Sequence, residues 1–98
     1  MEATIKATDL LEGKSIEFGC NVQQGADYAQ VLNTIARQKK GREQIIKGLK
    51  LYFGEARLEL IYECEVLAEG KMSYNAFSGR GDVETKNMVK ELCIDDII

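Results

Sequence analysis

Two stretches in the first part of the chain alternate between apolar and polar residues. The shorter spans residues 4–8 and the longer spans residues 14–23. A period of two residues is typical of a strand that buries one of its faces. Each stretch is therefore predicted to form a strand, with a turn near residues 12–14. The apolar face of the longer strand carries Ile16, Phe18, Cys20 and Val22.

A helical repeat replaces the alternation after Asp27, a residue well suited to cap a helix N-terminus. Apolar residues then recur three and four positions apart, which predicts a helix over residues 27–38. Polar residues would fall on this seam if it continued, so with Gly41 they indicate a break or kink between Lys39 and Arg42. One kinked helix and two separate helices both fit the pattern. A second helical seam consists of Ile45, Ile46, Leu49, Tyr52 and Phe53.

The strongest alternation in the chain covers residues 56–67 and predicts a third strand. Residues 68–71, Ala-Glu-Gly-Lys, are predicted to turn the chain into a fourth strand over residues 72–77. A loop is predicted at residues 78–81, and Asp82 is predicted to cap a last helix. The apolar face of that helix would consist of Val83, Met88, Val89, Leu92 and Cys93.

These elements predict a single α+β domain spanning residues 1–98, in the order β-β-α-α-β-β-α. Each half of the chain would contribute a hairpin followed by a helix, which suggests a faint internal repeat. We expect the four strands to form one antiparallel sheet, with the helices packed on one face.

Composition places the chain among ordinary globular proteins, with 45% hydrophobic and 30% charged residues. Three cysteines without a CxxC spacing predict buried free thiols in a reducing cytoplasm rather than a disulfide framework. No apolar run approaches the length of a membrane span, and no signal peptide is visible at the N-terminus. A cytoplasmic protein with no membrane partner is expected, and its small core favours a homo-oligomer.

The chain lacks residues on which many classes of enzyme depend. The chain has no histidine, which excludes Ser-His and Cys-His nucleophile pairs and zinc sites that use histidine. No catalytic residue, metal site or cofactor is therefore predicted. Glu59, Glu63 and Glu65 would share one face of the third strand, where they could bind a hard cation. A solvated strand face is the simpler interpretation of that row.

Charge is distributed unevenly along the chain. Residues 37–50 hold six of the thirteen basic residues and one acid, for a net charge of +5, so the other 84 residues carry −8. Arg37, Lys39, Lys40 and Arg42 surround Gly41, where a second helix is expected to begin. A helix N-terminus with added cations is a favourable place for a phosphate group.

The segment from Tyr74 to Asp82 is a second candidate for ligand binding. Its two glycines allow a close backbone approach, although the spacing matches neither a Walker loop nor GxGxxG. Tyr74 or Phe77 could stack on a base, and Arg80 could clamp a phosphate. An ordinary turn next to a core tyrosine is the competing interpretation.

The sequence therefore predicts a non-enzymatic binding or regulatory protein that recognises a phosphate-bearing ligand, either a nucleotide or a nucleic acid. The alternative is a small protein–protein inhibitor or adaptor of the type that mobile elements and phages encode. It would bind a basic protein through an acidic strand face. A metal-assisted hydrolase that uses the glutamate row is a third hypothesis.

Overall fold

The computed structural model describes residues 1–88 as a five-stranded antiparallel sheet and two helices. The sheet has the strand order β2-β1-β3-β4-β5. The predicted α+β class and antiparallel sheet are confirmed, whereas the predicted four strands and final helix are wrong. The elements are β1 (Glu2–Asp9), β2 (Ser15–Asn21), α1 (Tyr28–Arg37), α2 (Lys39–Leu49), β3 (Phe53–Tyr62), β4 (Glu65–Asn75) and β5 (Arg80–Asn87).

Both helices pack on the same face of the sheet, where they enclose the hydrophobic core. Ile5 and Leu60 lie directly opposite each other on β1 and β3, and both side chains are fully buried. Burying a side chain of this size contributes roughly 1.5–3 kcal/mol. Neither helix is long and apolar enough to cross a membrane. The largest fully buried side chains are Ile5, Leu32, Ile45, Leu49, Leu58, Leu60 and Met72.

The first two predicted strands and the first predicted helix are confirmed. Along β2, the even-numbered residues are half-buried and the odd-numbered residues are exposed. The carboxylate of Asp27 accepts a hydrogen bond from the backbone N–H of Gln30, as its N-cap position predicts. Asn87 of β5 supports the same helix end, because its side chain donates to Asp27 and accepts from the Ala29 N–H.

The helical region is divided into two helices at Gln38. This residue has an extended backbone, with φ −67° and ψ 142°. Its N–H donates to Thr34 at the end of α1, and its carbonyl accepts from Arg42 at the start of α2. The break therefore lies one residue before the predicted segment. Gly41 lets the helices approach closely, since a Cβ there would clash with the Ile35 carbonyl oxygen.

The second helical seam ends earlier than predicted. Lys50 has a left-handed backbone, φ 52° and ψ 47°, and its N–H closes the last turn of α2. Tyr52 and Phe53 consequently leave the helix, and they are 65% and 51% exposed. Their assignment to the apolar seam was wrong, because a periodic pattern does not show where the backbone reverses.

The hairpin between the third and fourth strands turns at Glu63 and Cys64, not at the predicted residues 68–71. Both turn residues have positive φ, 49° and 65°, which is typical of a two-residue hairpin loop with the twist of the flanking strands. Gly70 instead lies inside β4, where a Cβ would clash with the backbone of β5. Gly70 therefore permits close strand packing and does not form a turn.

The predicted last helix is wrong over its described part, because residues 80–87 form the edge strand β5. All eight of its residues pair with β4. Val83 is buried on the side of α1, and the hydroxyl of Thr85 donates to the Ala29 carbonyl in the same helix. Pairing with β4 outweighed the capping preference of Asp82, whose carboxylate instead accepts from the neighbouring Val83 N–H. Val89, Leu92 and Cys93 of the predicted helix lie outside the described residues.

Candidate anion-binding groove

A shallow groove of about 400 Å³ lies between the α1–α2 junction, the first half of α2 and the β4–β5 connection. It joins two segments that the sequence offered as separate candidates, residues 37–50 and residues 74–82. We call it the basic groove. Its lining residues are Arg37, Lys39, Arg42, Glu43, Ile46, Lys47, Tyr74 and Gly79.

Arg42 is the residue that holds the two segments together. Its guanidinium lies over the Tyr74 ring, with Cζ 5.1 Å from the ring centroid. Its Nη2 atom also donates a hydrogen bond of 2.7 Å to the Gly79 carbonyl. A cation–π contact of this kind contributes about 0.5–1 kcal/mol at an exposed site. Tyr74 therefore orients the arginine, and one face of its ring is already occupied.

Arg37 fastens the end of α1 to the sheet edge. Its guanidinium donates to the Val83 carbonyl at 3.1 Å and to the Asn33 side chain at 2.7 Å. The Asp82 carboxylate lies 3.5 Å away and offsets part of its charge. Arg37 thus lines the groove as predicted, but much of its hydrogen-bonding capacity is used within the protein.

The remaining cations of α2 are less constrained. Lys47 lies 3.9 Å from Glu43 one turn away, an exposed pair that contributes a few tenths of a kcal/mol. Within residues 1–88, no carboxylate lies within ion-pair distance of Lys39, Lys40 or Arg42. Lys40 is exposed in the first turn of α2 but is not part of the groove lining.

The start of α2 is unusual for a helix N-terminus. Gln38 makes no side-chain capping bond there, and the first turn contains no acidic residue. Two lysines occupy that turn, where their charges meet the positive end of the helix dipole. This arrangement costs helix stability in isolation, and an anion bound nearby would offset the cost.

The predicted stacking residue Phe77 is not part of the groove lining. It is 91% exposed, and its ring centroid is 5.0 Å from that of Phe53. The Tyr52 carbonyl accepts a hydrogen bond from Ala76, which holds the two loops together. Tyr52, Phe53 and Phe77 form an exposed cluster that we call the aromatic tip. Phe53 is one strand position from Gly54, the residue that pairs with Tyr74.

Two members of the aromatic tip, Tyr52 and Phe53, were not among the predicted binding residues, and the predicted Arg80 lies away from the groove lining. Tyr52 and Phe53 carried no signal other than apolar spacing, which assigned them to the core. Arg80 begins β5 and is exposed, and it does not line the groove. The side chain of Asn75 shapes the intervening loop by accepting from the N–H groups of Phe77 and Ser78.

The face of the sheet opposite the helices carries a network of ion pairs, and we call it the uncovered face because no helix of residues 1–88 lies on it. Arg57 lies 2.9 Å from Glu69 and 3.8 Å from Glu59, and Lys86 lies 3.4 Å from Glu69. The hydrogen bond from Arg57 is the main cause that lowers the pKa of Glu69 below its ordinary value. Lys71 is paired with Glu55 in the same way. This face therefore mixes both signs of charge.

The predicted row of glutamates does not form. Glu59 lies on β3, but Glu63 is in the hairpin turn and Glu65 begins β4. Within residues 1–88, no group of three or more Cys, Asp or Glu side chains is placed to hold a metal ion.

The two described cysteines occupy different environments. Cys20 is half-buried on β2, and burial raises the pKa of its thiol. Cys64 is exposed in the hairpin turn, so the prediction of a buried thiol is wrong at that position. Cys93 lies outside the described residues.

Both segments predicted to bind a ligand thus contribute to one groove, whereas Lys40, Phe77 and Arg80 lie outside its lining. Comparison of the chain with protein-family models, with curated proteins and with solved structures found no match.

Proposed function

We propose that this chain is a non-enzymatic binding protein for a phosphate-bearing ligand, a nucleotide or a nucleic-acid strand, which lies in the basic groove. The observation that carries the proposal is the contact of Arg42 with both Tyr74 and Gly79. It brings the basic segment and the glycine-containing loop to the same surface, although 37 positions separate Arg42 from Gly79.

The charge of the groove favours an anion. Four of its lining residues are cationic and one is acidic. Arg37 and Lys47 have carboxylate partners, so Lys39 and Arg42 supply the charge that is free for a ligand. Because the rest of the chain is acidic, this local excess of positive charge would orient an incoming anion toward the groove.

The aromatic tip supports a nucleic-acid strand over a simple phosphate. Arg42 covers one face of Tyr74, so the exposed rings of Phe53 and Phe77 are better placed to stack on a base. Single-stranded nucleic acids are bound in this way, with phosphates in a basic groove and bases on aromatic rings. Tyr74 then acts as a positioning residue, and Phe77 takes the stacking role.

The test compares two triple variants with the same change in net charge. Lys39→Gln, Lys40→Gln and Arg42→Gln remove three positive charges from the basic groove and the adjoining first turn of α2. The control replaces Lys6, Lys71 and Lys86 on the uncovered face with Gln. Affinity for a fluorescent single-stranded oligonucleotide is measured between low and physiological salt. We expect the groove variant to lose about two units of the salt slope, roughly 0.7 per lost phosphate contact. The control should keep the slope of the native protein.

An equal loss in both variants, or no loss in either, would contradict the proposal. Circular dichroism verifies that both variants are folded. Phe77→Ala separates the two ligand classes, because we expect it to weaken oligonucleotide binding by about 1–3 kcal/mol per stacked base. It should leave the binding of inorganic tripolyphosphate unchanged.

The alternative hypothesis of an acidic inhibitor surface has less support. The carboxylates of Glu55, Glu59 and Glu69 have basic partners on the same face, so less negative charge is free for a basic protein. That hypothesis expects the native chain to ignore oligonucleotides and Glu63→Lys to disrupt a complex with a basic protein. The metal-assisted hydrolase is not proposed, because the glutamate row on which it depended does not form.

A further inference from the structure

The two edges of the sheet differ in how they are protected. At the β5 edge, the Val83 carbonyl accepts hydrogen bonds from Asn33 and Arg37 of α1, at 3.4 and 3.1 Å. At the β2 edge, no hydrogen bond from any residue within 1–88 reaches the outer side of the strand. β2 also contains neither proline nor lysine, the residues that commonly protect an edge strand.

The hydrogen bonds to β1 show which backbone groups of β2 point outward. Met1 and Val22 exchange two backbone bonds of 2.8 Å, and at the other end Asp9 donates to the Lys14 carbonyl. Bonded pairs alternate along an antiparallel ladder, so the even-numbered residues of β2 bond to β1. The odd-numbered residues therefore direct their N–H and C=O groups away from the sheet. These residues are Ser15, Glu17, Gly19 and Asn21.

We propose that a second copy of this chain adds to β2 in antiparallel orientation, which joins the two sheets about a two-fold axis at Phe18. An axis at Phe18 pairs all seven residues of β2, with Ser15 opposite Asn21 and Glu17 opposite Gly19. Both pairs consist of outward-pointing residues, as a bonded pair requires. An axis at Glu17 would place two like charges directly opposite, and other axes leave part of the strand unpaired.

The side chains of β2 are self-complementary in the same register. Ile16, Phe18 and Cys20 are half-buried, and no strand of residues 1–88 lies on their outer side. In the dimer Phe18 would meet Phe18, and Ile16 would meet Cys20, which buries apolar surface that the single chain leaves partly open. On the opposite face Glu17 meets a glycine, so no charge is opposed. This inference is independent of the basic groove, which lies on α2 and the β4–β5 connection.

Cysteine cross-linking tests the register. Phe18→Cys is made in a chain whose three natural cysteines are replaced with Ser. A non-hydrogen-bonded pair on the axis has Cα atoms about 4.5 Å apart, within the range of a disulfide. We expect mild oxidation to give a disulfide-linked dimer. Gly19→Cys in the same background is the control, because its two copies would be offset by about 7 Å along the strands.

Sedimentation of the native protein tests association without a cross-link. We expect a concentration-dependent dimer that is lost in Gly19→Pro, which removes an outward N–H but no bond to β1. A native chain that stays monomeric up to about 1 mM, the weak end of protein association, would overturn the proposal. So would a dimer that Gly19→Pro leaves intact, or equal cross-linking of the two cysteine variants.

Discussion

Both faces of the sheet carry cations, but several of them differ in whether a carboxylate lies nearby. On the uncovered face, Arg57, Lys71 and Lys86 each lie beside a carboxylate. On the helix side, Lys39 and Arg42 have no carboxylate within ion-pair distance among residues 1–88. For the proposed binding role, the availability of a charge therefore matters more than the number of charges.

Strand register produces the paired state on the uncovered face. Arg57 lies opposite Lys71, and Glu59 lies opposite Glu69, which are two unfavourable pairs of like charge. Arg57 relieves both by reaching diagonally to Glu69, while Lys86 lies directly opposite Glu69 on the next strand. On α2, Glu43 lies one turn from both Lys39 and Lys47, but its carboxylate is within ion-pair distance of Lys47 only, so Lys39 keeps no carboxylate partner among residues 1–88.

The largest expected effect separates the structural contributions of the two faces. Ile5 and Lys6 are adjacent on β1, but Ile5 is fully buried under the helices and Lys6 lies on the uncovered face. We expect Ile5→Ala to lower the free energy of unfolding by about 2–5 kcal/mol, because the cavity cannot close fully. Lys6→Ala should change it by less than about 0.5 kcal/mol. Urea denaturation measures the free energy of unfolding of both variants. Similar losses in the two would contradict the difference in burial between the two faces.

The next effect concerns the junction that positions the basic groove. We expect Gly41→Ala to destabilise the protein by about 1–3 kcal/mol, because its Cβ would press against the Ile35 carbonyl. It should also weaken ligand binding, since Lys39 and Arg42 lie in the displaced turn. Gly48→Ala on the same helix is the control. Its Cβ would meet the end of the Ile16 side chain, which can move, and alanine favours the helix by up to about 1 kcal/mol.

If Gly41→Ala proves as well tolerated as Gly48→Ala in urea denaturation, the close approach of the two helices at Gly41 is not needed for stability. Ligand affinity is measured at a temperature where both variants are fully folded. A loss of affinity in Gly41→Ala then reports a displaced turn and not a smaller fraction of folded protein.

The smallest effect concerns the ion pairs of the uncovered face. The pKa of Glu69 is lowered in the folded protein, so its ionised form contributes stability above the ordinary pKa of a glutamate. That contribution is lost as the pH falls through the lower, folded pKa. We therefore expect the Tm difference between the native protein and Glu69→Gln to be largest near neutral pH and to disappear in acid. Molar salt should also reduce it, and a difference independent of both would contradict the pairing.

The sequence predicted the elements whose signals are local. The alternation at residues 14–23 and the cap at Asp27 identified β2 and α1, because a strand face and a helix end depend on neighbouring residues. The turn at Glu63 and the strand from Arg80 were missed. Their conformations depend on which strands pair in the folded sheet. Gly70 favours a turn and Asp82 favours a helix cap, but the pairing of β4 with β5 overrides both preferences.

Part of the groove lining was identified as candidate residues in the sequence, but its arrangement was not. The charge of Arg42 and the ring of Tyr74 were both identified, yet their contact depends on the placement of α2 against β4. Nothing in the sequence indicated that this contact occupies the ring. The different roles proposed for Tyr74 and Phe77 therefore depend on a contact that is known only from the folded structure.

The link between Asn87 and the first turn of α1 has a consequence for the order in which the protein matures. The side chains of Asp27 and Asn87 meet although 60 positions separate them. During translation, a ribosome that has delivered the first helix must add nearly all of the remaining described chain before that helix end receives its second support. The first half of the domain therefore leaves the exit tunnel before its contacts with β5 can form. In any shortened product that stops before Asn87, the backbone amide of Ala29 in the first turn of α1 lacks its native acceptor.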